Sequence, residues 1–96
     1  MRIVRRPAAQ DDIDGLWSYV ARRNIAADRL VDRIVDATEG LRLFPHSGKD
    51  RSDWYPGLRS ITASPYIIFY RILADRIDIA RVLHGARDVP IMTGLD

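Results

Sequence analysis

The chain is predicted to fold as an α+β domain, with a helical hairpin packed on one face of a small, twisted, mostly antiparallel sheet. Three observations predict it: two apolar stripes at helical spacing in the first half, three runs of β-branched and aromatic residues in the second, and a short apolar run ahead of the first helix. The expected order is β-α-α-β-β-β, and residues 1–96 read as a single domain without repeat, linker or low-complexity tract.

The elements follow in order. Residues 2–6, RIVRR, make a short first strand, stopped by Pro7, which cannot donate to a ladder but can open a helix. Ala9, Ile13, Leu16, Trp17 and Val20 then recur on one helical face, so helix one is expected from about Pro7 to Arg23. Asn24 breaks the pattern. Leu30, Val31, Ile34, Val35, Thr38 and Leu41 form the next stripe, which predicts helix two over about Ala26 to Leu43. With so few residues between them, the helices must fold back on each other, each about 26 Å long at about 1.5 Å per residue. Residues 44–57, FPHSGKDRSDWYPG, read as a loop in which Trp54 and Tyr55 tether the chain to the core. LRSITAS, YIIFYRIL and RIDIARVLH then make three strands, and turns as short as Ser64-Pro65 and Ala74-Asp75 require them to be antiparallel neighbours.

Composition bounds the function. A chain of 96 residues buries only roughly 60–65% of its unfolded surface, so one modest core is expected. With no cysteine, thiol chemistry, disulfides and Cys-type zinc sites are excluded, and the composition fits a reducing cytoplasm. No apolar run approaches the roughly 20 residues that span a bilayer, so a cytoplasmic protein without membrane contact is expected. Net charge is only +2, but its distribution is uneven. Asp11, Asp12, Asp14, Asp28, Asp32, Asp36 and Glu39 fall in the first half, whereas Arg59, Arg71, Arg76, Arg81 and Arg87 fall in the second. Either the second half presents a positive face to an anionic partner, or these arginines pair with Asp75, Asp78 and Asp88.

Candidate chemistry is sparse. The six glycines are scattered and none joins a strand to a helix, so no phosphate-cradling loop is expected and with it no nucleotide cofactor. His46 and His84 lack a third ligand at metal-binding spacing, so no metal is expected either. Asp11 and Asp12 are assigned to the N-terminus of helix one, offsetting its macrodipole. What remains is binding to, or cleavage of, nucleic acid. RNA cleavage needs a base, an acid and cations around the scissile phosphate. His84 with Arg59, Arg71, Arg81 and Arg87, and Tyr66 or Tyr70, could supply them. Alternation in the last strand places Arg81 with Ile77, Ile79 and Leu83 on one face, and His84 with Val82 and Ala80 on the other, so these groups do not converge.

The segments RIVRRPAAQDDIDGLWSYVA, LRLFPHSGK, SPYIIFYRI and RVLHGARD together resemble the RelE/ParE superfamily of bacterial type II toxins, over nearly the whole chain. The resemblance implies a helical hairpin on a twisted sheet and a cognate, ParD-like antitoxin that binds in a hetero-oligomer. It also separates two activities. RelE-like ribosome-dependent messenger-RNA nucleases carry an arginine where this chain has Ile67 after Tyr66, and a tyrosine where it has only Val89, Pro90, Ile91, Met92 and Thr93. Lys49, Arg51 and Arg59 give no clear match to the nuclease's basic residues, and Arg87 alone falls on a catalytic position. The ParE-like reading is therefore preferred: a toxin that binds DNA gyrase rather than an enzyme. If the chain is an endoribonuclease acting at the ribosome instead, His84, Arg81 and Arg87 carry the chemistry; a third alternative is a non-toxic relative that keeps only antitoxin binding. Arg59, Arg71, Arg81, His84 and Arg87 are the expected target-binding residues, and Trp17, Leu43, Phe44 and Trp54 the expected antitoxin-binding ones. Gly85 is expected to let the chain leave the sheet.

Overall fold

A computed structural model of the chain describes residues 1–21 and 27–85. The elements are β1 (Arg2–Arg5), α1 (Pro7–Ala21), α2 (Ala27–Gly40), a 3-10 turn (Pro45–Ser47), β2 (Lys49–Asp50), β3 (Leu58–Ala63), β4 (Tyr66–Ile72) and β5 (Arg76–His84). The α+β class and the order of the expected elements hold. The predicted end of helix one at Arg23 lies outside the described residues, as do the start of helix two at Ala26 and the side chain of Val20.

Pro7 opens α1, and the carbonyl of Arg6 accepts the first helical bond from the Gln10 amide at 3.0 Å. Ala9, Ile13 and Leu16 bury the predicted stripe, but Trp17 does not belong to it: the residue is 45% exposed. In α2, Ile34 and Thr38 are buried, and the Thr38 hydroxyl donates to the Val35 carbonyl at 2.7 Å, so its burial leaves no orphaned group. Helix two ends earlier than its stripe predicts. Gly40 closes it, and the carbonyl of Gly40 accepts from the amides of both Leu43 and Phe44. Leu41 still folds into the core as predicted, while Leu43 is turned outward.

The five strands form one sheet in the order β1-β5-β4-β3-β2. The β2–β3, β3–β4 and β4–β5 pairs are antiparallel, but β1 pairs parallel with β5, Arg2 opposite Arg76 through Arg5 opposite Ile79. β2 is a correction to the expected loop: two residues, Lys49 and Asp50, pair with Ser60 and Arg59. A two-residue strand has no periodicity to read. Gly57, at φ +76°, turns the chain from this loop into β3, a conformation open to glycine at little cost.

Both helices pack on one face of the sheet. Ala9, Ile13 and Leu16 of α1 and Ile34 of α2 meet Ile68 and Tyr70 of β4 and Ile77, Ile79 and Val82 of β5. Leu58, Phe69, Ala80 and Leu83 form a second cluster, with Tyr55 and Ile67 against it. The predicted alternation along β5 fails at a bulge: Phe69 pairs with Arg81 and Tyr70 with Ile79, so Ala80 is the extra residue. Beyond it, Leu83 joins the second cluster rather than the face of Ile77 and Ile79, and Val82 takes that face instead. His84, opposite Tyr66, stays on the side of Val82 as predicted.

Candidate functional site

The charged residues expected to face a target are held by the protein's own groups. Arg81 donates from Nε and Nη2 to the two carboxylate oxygens of Asp12, at 2.8 and 2.9 Å. Asp12 also accepts the Val82 backbone N–H at 2.9 Å. β1 accompanies β5 only as far as Ile79, so the outer edge of β5 beyond it has no strand partner, and a helical carboxylate takes that place. Asp12 therefore does not serve the helix N-terminus as expected, because the first turn of α1 carries no acidic residue. Arg71 lies 3.9 Å from the Asp78 carboxylate, which Arg6 approaches at the same distance, and stacks its guanidinium 5.2 Å from the Tyr55 ring centre. Arg59 donates to the carbonyls of His46 and Gly48 at 2.9 and 2.7 Å. The His84 ring meets the Tyr66 ring edge-on at 5.5 Å, and the Gly85 amide closes on the Pro65 carbonyl at 2.9 Å. Arg87 lies outside the described residues. Arg59, Arg71, Arg81 and His84 thus stand on three strands with separate partners and do not converge on one point.

The apolar candidates behave differently. Trp17, Leu43, Phe44 and Trp54 are all exposed, Leu43 by 79% and Phe44 by 67%. Trp54 rests against Phe69 at 6.0 Å between ring centres, with the Arg51 guanidinium 4.6 Å from the Trp54 ring centre, which is the tethering role expected of it. Leu43 and Phe44 instead line an open hollow of about 410 Å³ with Pro45, His46 and Ser47.

Two residues hold this hollow in shape: Tyr70, which the sequence offered only as a group for RNA chemistry, and Gly48. The buried Tyr70 hydroxyl donates to the Pro45 carbonyl at 2.7 Å and accepts the Gly48 N–H at 3.0 Å. A Cβ on Gly48 would lie 2.3 Å from that hydroxyl oxygen and 2.9 Å from the Ser60 carbonyl, so the close approach depends on glycine. The glycine of LFPHSG was the available signal, but it read equally well as a loop breaker. Asp12 gave no signal, because its partner is 69 residues away.

A family model described as the ParE toxin of the type II toxin-antitoxin system parDE matches residues 3–89. The chain belongs to the ParE toxin family. Similar ParE toxins include Toxin ParE3 of Caulobacter vibrioides, 30% identical over 97% of this chain and 95% of that one. Toxin ParE1 of Mycobacterium tuberculosis is 29% identical over 92% and 93% respectively. The fold of a solved structure titled "Chromosomal ParDE TA system from P. aeruginosa" superposes with a TM-score of 0.76 at 23% identity, covering 88% of this chain and 95% of that one. As a ParE-type toxin, the chain is one half of a type II pair whose other half is an antitoxin. Among the described residues no group of histidine and acidic side chains is spaced to hold a metal, and no helix is long and apolar enough to cross a membrane.

Proposed function

We propose that this ParE-type toxin arrests growth by binding DNA gyrase in the cytoplasm, without catalysis of its own, and that a cognate ParD-like antitoxin neutralises it. The observation that carries the reading is the engagement of its cations. Cleaving RNA at the ribosome calls for charged groups aimed at one phosphate, and a single oriented donor can contribute roughly 3–4 kcal/mol to a transition state. Here Arg81 is committed to Asp12, Arg59 to two loop carbonyls and Arg71 to Asp78 and Tyr55, while Ile67 follows Tyr66 where the nucleases place a cation. Apolar area left on the surface by Trp17, Leu43, Phe44 and Trp54 supports a protein partner instead.

The test is to incubate the folded protein with gyrase, ATP and supercoiled plasmid, then denature and digest the protein. Linear DNA is expected, and adding the antitoxin first should abolish it. Absence of linear product from protein that still arrests cells would move the target to the ribosome and give His84, Arg81 and Arg87 a catalytic role. Absence of both would leave a non-toxic relative.

A further inference from the structure

The end of the sheet at which β1 and β5 begin joins the apolar hollow to a cationic rim. β1 and β5 run parallel with Arg2 opposite Arg76, so both arginines lie at this end. The C-terminal end of α2 reaches the same place, because Arg42 donates to the Met1 carbonyl at 3.3 Å. Leu43 and Phe44 follow directly on Arg42. Carboxylates here are outnumbered. Asp75 is shared by Arg2 and Arg76, and Glu39, paired with Arg42, also feels the charge of Arg5.

The hollow is also built to persist when empty. Tyr70 and Arg59 fasten the carbonyls of Pro45, His46 and Gly48, and the Gly40 carbonyl fixes the amides of Leu43 and Phe44. Ordering costs on this side of a complex are therefore already met. An exposed leucine and phenylalanine on a rigid turn have no folding role that accounts for them.

We infer that the Leu43–Phe44 ledge and its arginine rim dock an acidic segment of the antitoxin that inserts an apolar side chain into the hollow. The inference rests on the toxin-antitoxin reading and narrows it to one of the exposed apolar sites. Charge complementarity selects the occupant. A second copy of the chain would bring Arg2, Arg42 and Arg76 against their like, which opposes association. An acidic segment is attracted to the rim, and a hollow of about 410 Å³ takes a side chain or two rather than a flat protein surface.

Binding of the cognate ParD-like antitoxin is to be measured by calorimetry for the wild type, Leu43→Ser/Phe44→Ser, Arg42→Glu and the control Asp53→Asn, with circular dichroism melts verifying each fold. Both ledge side chains are exposed, so the double variant retains the core. The expected result is a loss of about 30-fold or more in affinity for the double variant. Arg42→Glu should bind more weakly and respond less steeply to salt, and the control should match the wild type. Wild-type binding with a folded double variant within about threefold of it overturns the ledge while leaving the toxin-antitoxin reading intact. No binding by the wild type overturns that reading and the ledge with it. Self-association lost in the double variant, at unchanged antitoxin affinity, assigns the ledge to a second copy and overturns the inference.

Discussion

Tyr70 shows how one hydroxyl ties a core strand to a surface loop. Its ring is fully buried among the helix-facing residues, and its oxygen spans Pro45 and Gly48. Tyr70→Phe keeps the ring but leaves a buried amide and a carbonyl without their partner, at an expected cost of about 1–3 kcal/mol read from the denaturant midpoint. Gly48→Ala acts on the same contact from the other side by overpacking, and about 1–3 kcal/mol is expected again. Since both changes strike one contact, the double variant should lose less than the sum of the two. Acid acts on this region through different groups. A hydrogen bond from the Arg42 side chain holds the Glu39 carboxyl below its ordinary range, and hydrogen bonds from Ser52 do the same for Asp50. Both titrate lower folded than unfolded, so the stability they add is present above the unfolded values near about pH 4 and is lost as pH falls through the folded ones. The gap in denaturant midpoint between wild type and Glu39→Gln/Asp50→Asn should therefore narrow below about pH 4. A gap unchanged from neutral pH to about pH 3 would contradict the assignment.

Between elements, the Asp12 carboxylate fastens α1 to the edge of β5. Asp12→Ala removes two hydrogen bonds from a largely buried arginine and the acceptor of the Val82 amide, and is expected to cost about 2–4 kcal/mol by thermal or chemical unfolding. Asp12→Ala/Arg81→Met should recover part of that loss, since it removes both charges together. How far the sequence revealed these elements depended on the range of the physics. Apolar spacing located α1, α2 and the three long strands, because burial of a stripe is a local, periodic requirement: Ala9, Ile13, Leu16, Ile34 and Leu41 are all in the core. It misjudged the end of α2, since a stripe continues through Leu41 whether or not the helix does, whereas the backbone turns at Gly40. The bulge at Ala80 and the two-residue β2 were invisible for a related reason. Each is set by pairing with a strand elsewhere in the chain, Phe69 and Tyr70 for the bulge and Arg59 and Ser60 for β2. At the candidate site, the exposed aromatics were found by type alone, but the clamp of Tyr70 and Arg59 required knowing which loop lies over which strand.

For the molecule as a whole, the parallel pair matters most. β1 has its strand partner in β5, and β5 also carries the register of β4. A chain truncated after Ala74 lacks the strand that joins the first element to the rest and that receives α1. Such a fragment is expected to show no cooperative melt and no dispersed amide spectrum, whereas the intact chain shows both. A dispersed spectrum from the fragment would mean that the hairpin of β3 and β4 and the two helices suffice. The position of β5 also governs when the toxin comes into being during synthesis. Translation proceeds at about 5–20 residues per second, so the first strand waits about 4–15 s for its partner to be made, long after helices and hairpins have had their microseconds. A transcript cut short or a ribosome stalled before that strand yields an inert polypeptide with the apolar face of α1 uncovered. The ParE fold is therefore complete only once β5 has been made, and an antitoxin or a protease that acts on the growing chain has those seconds in which to intervene.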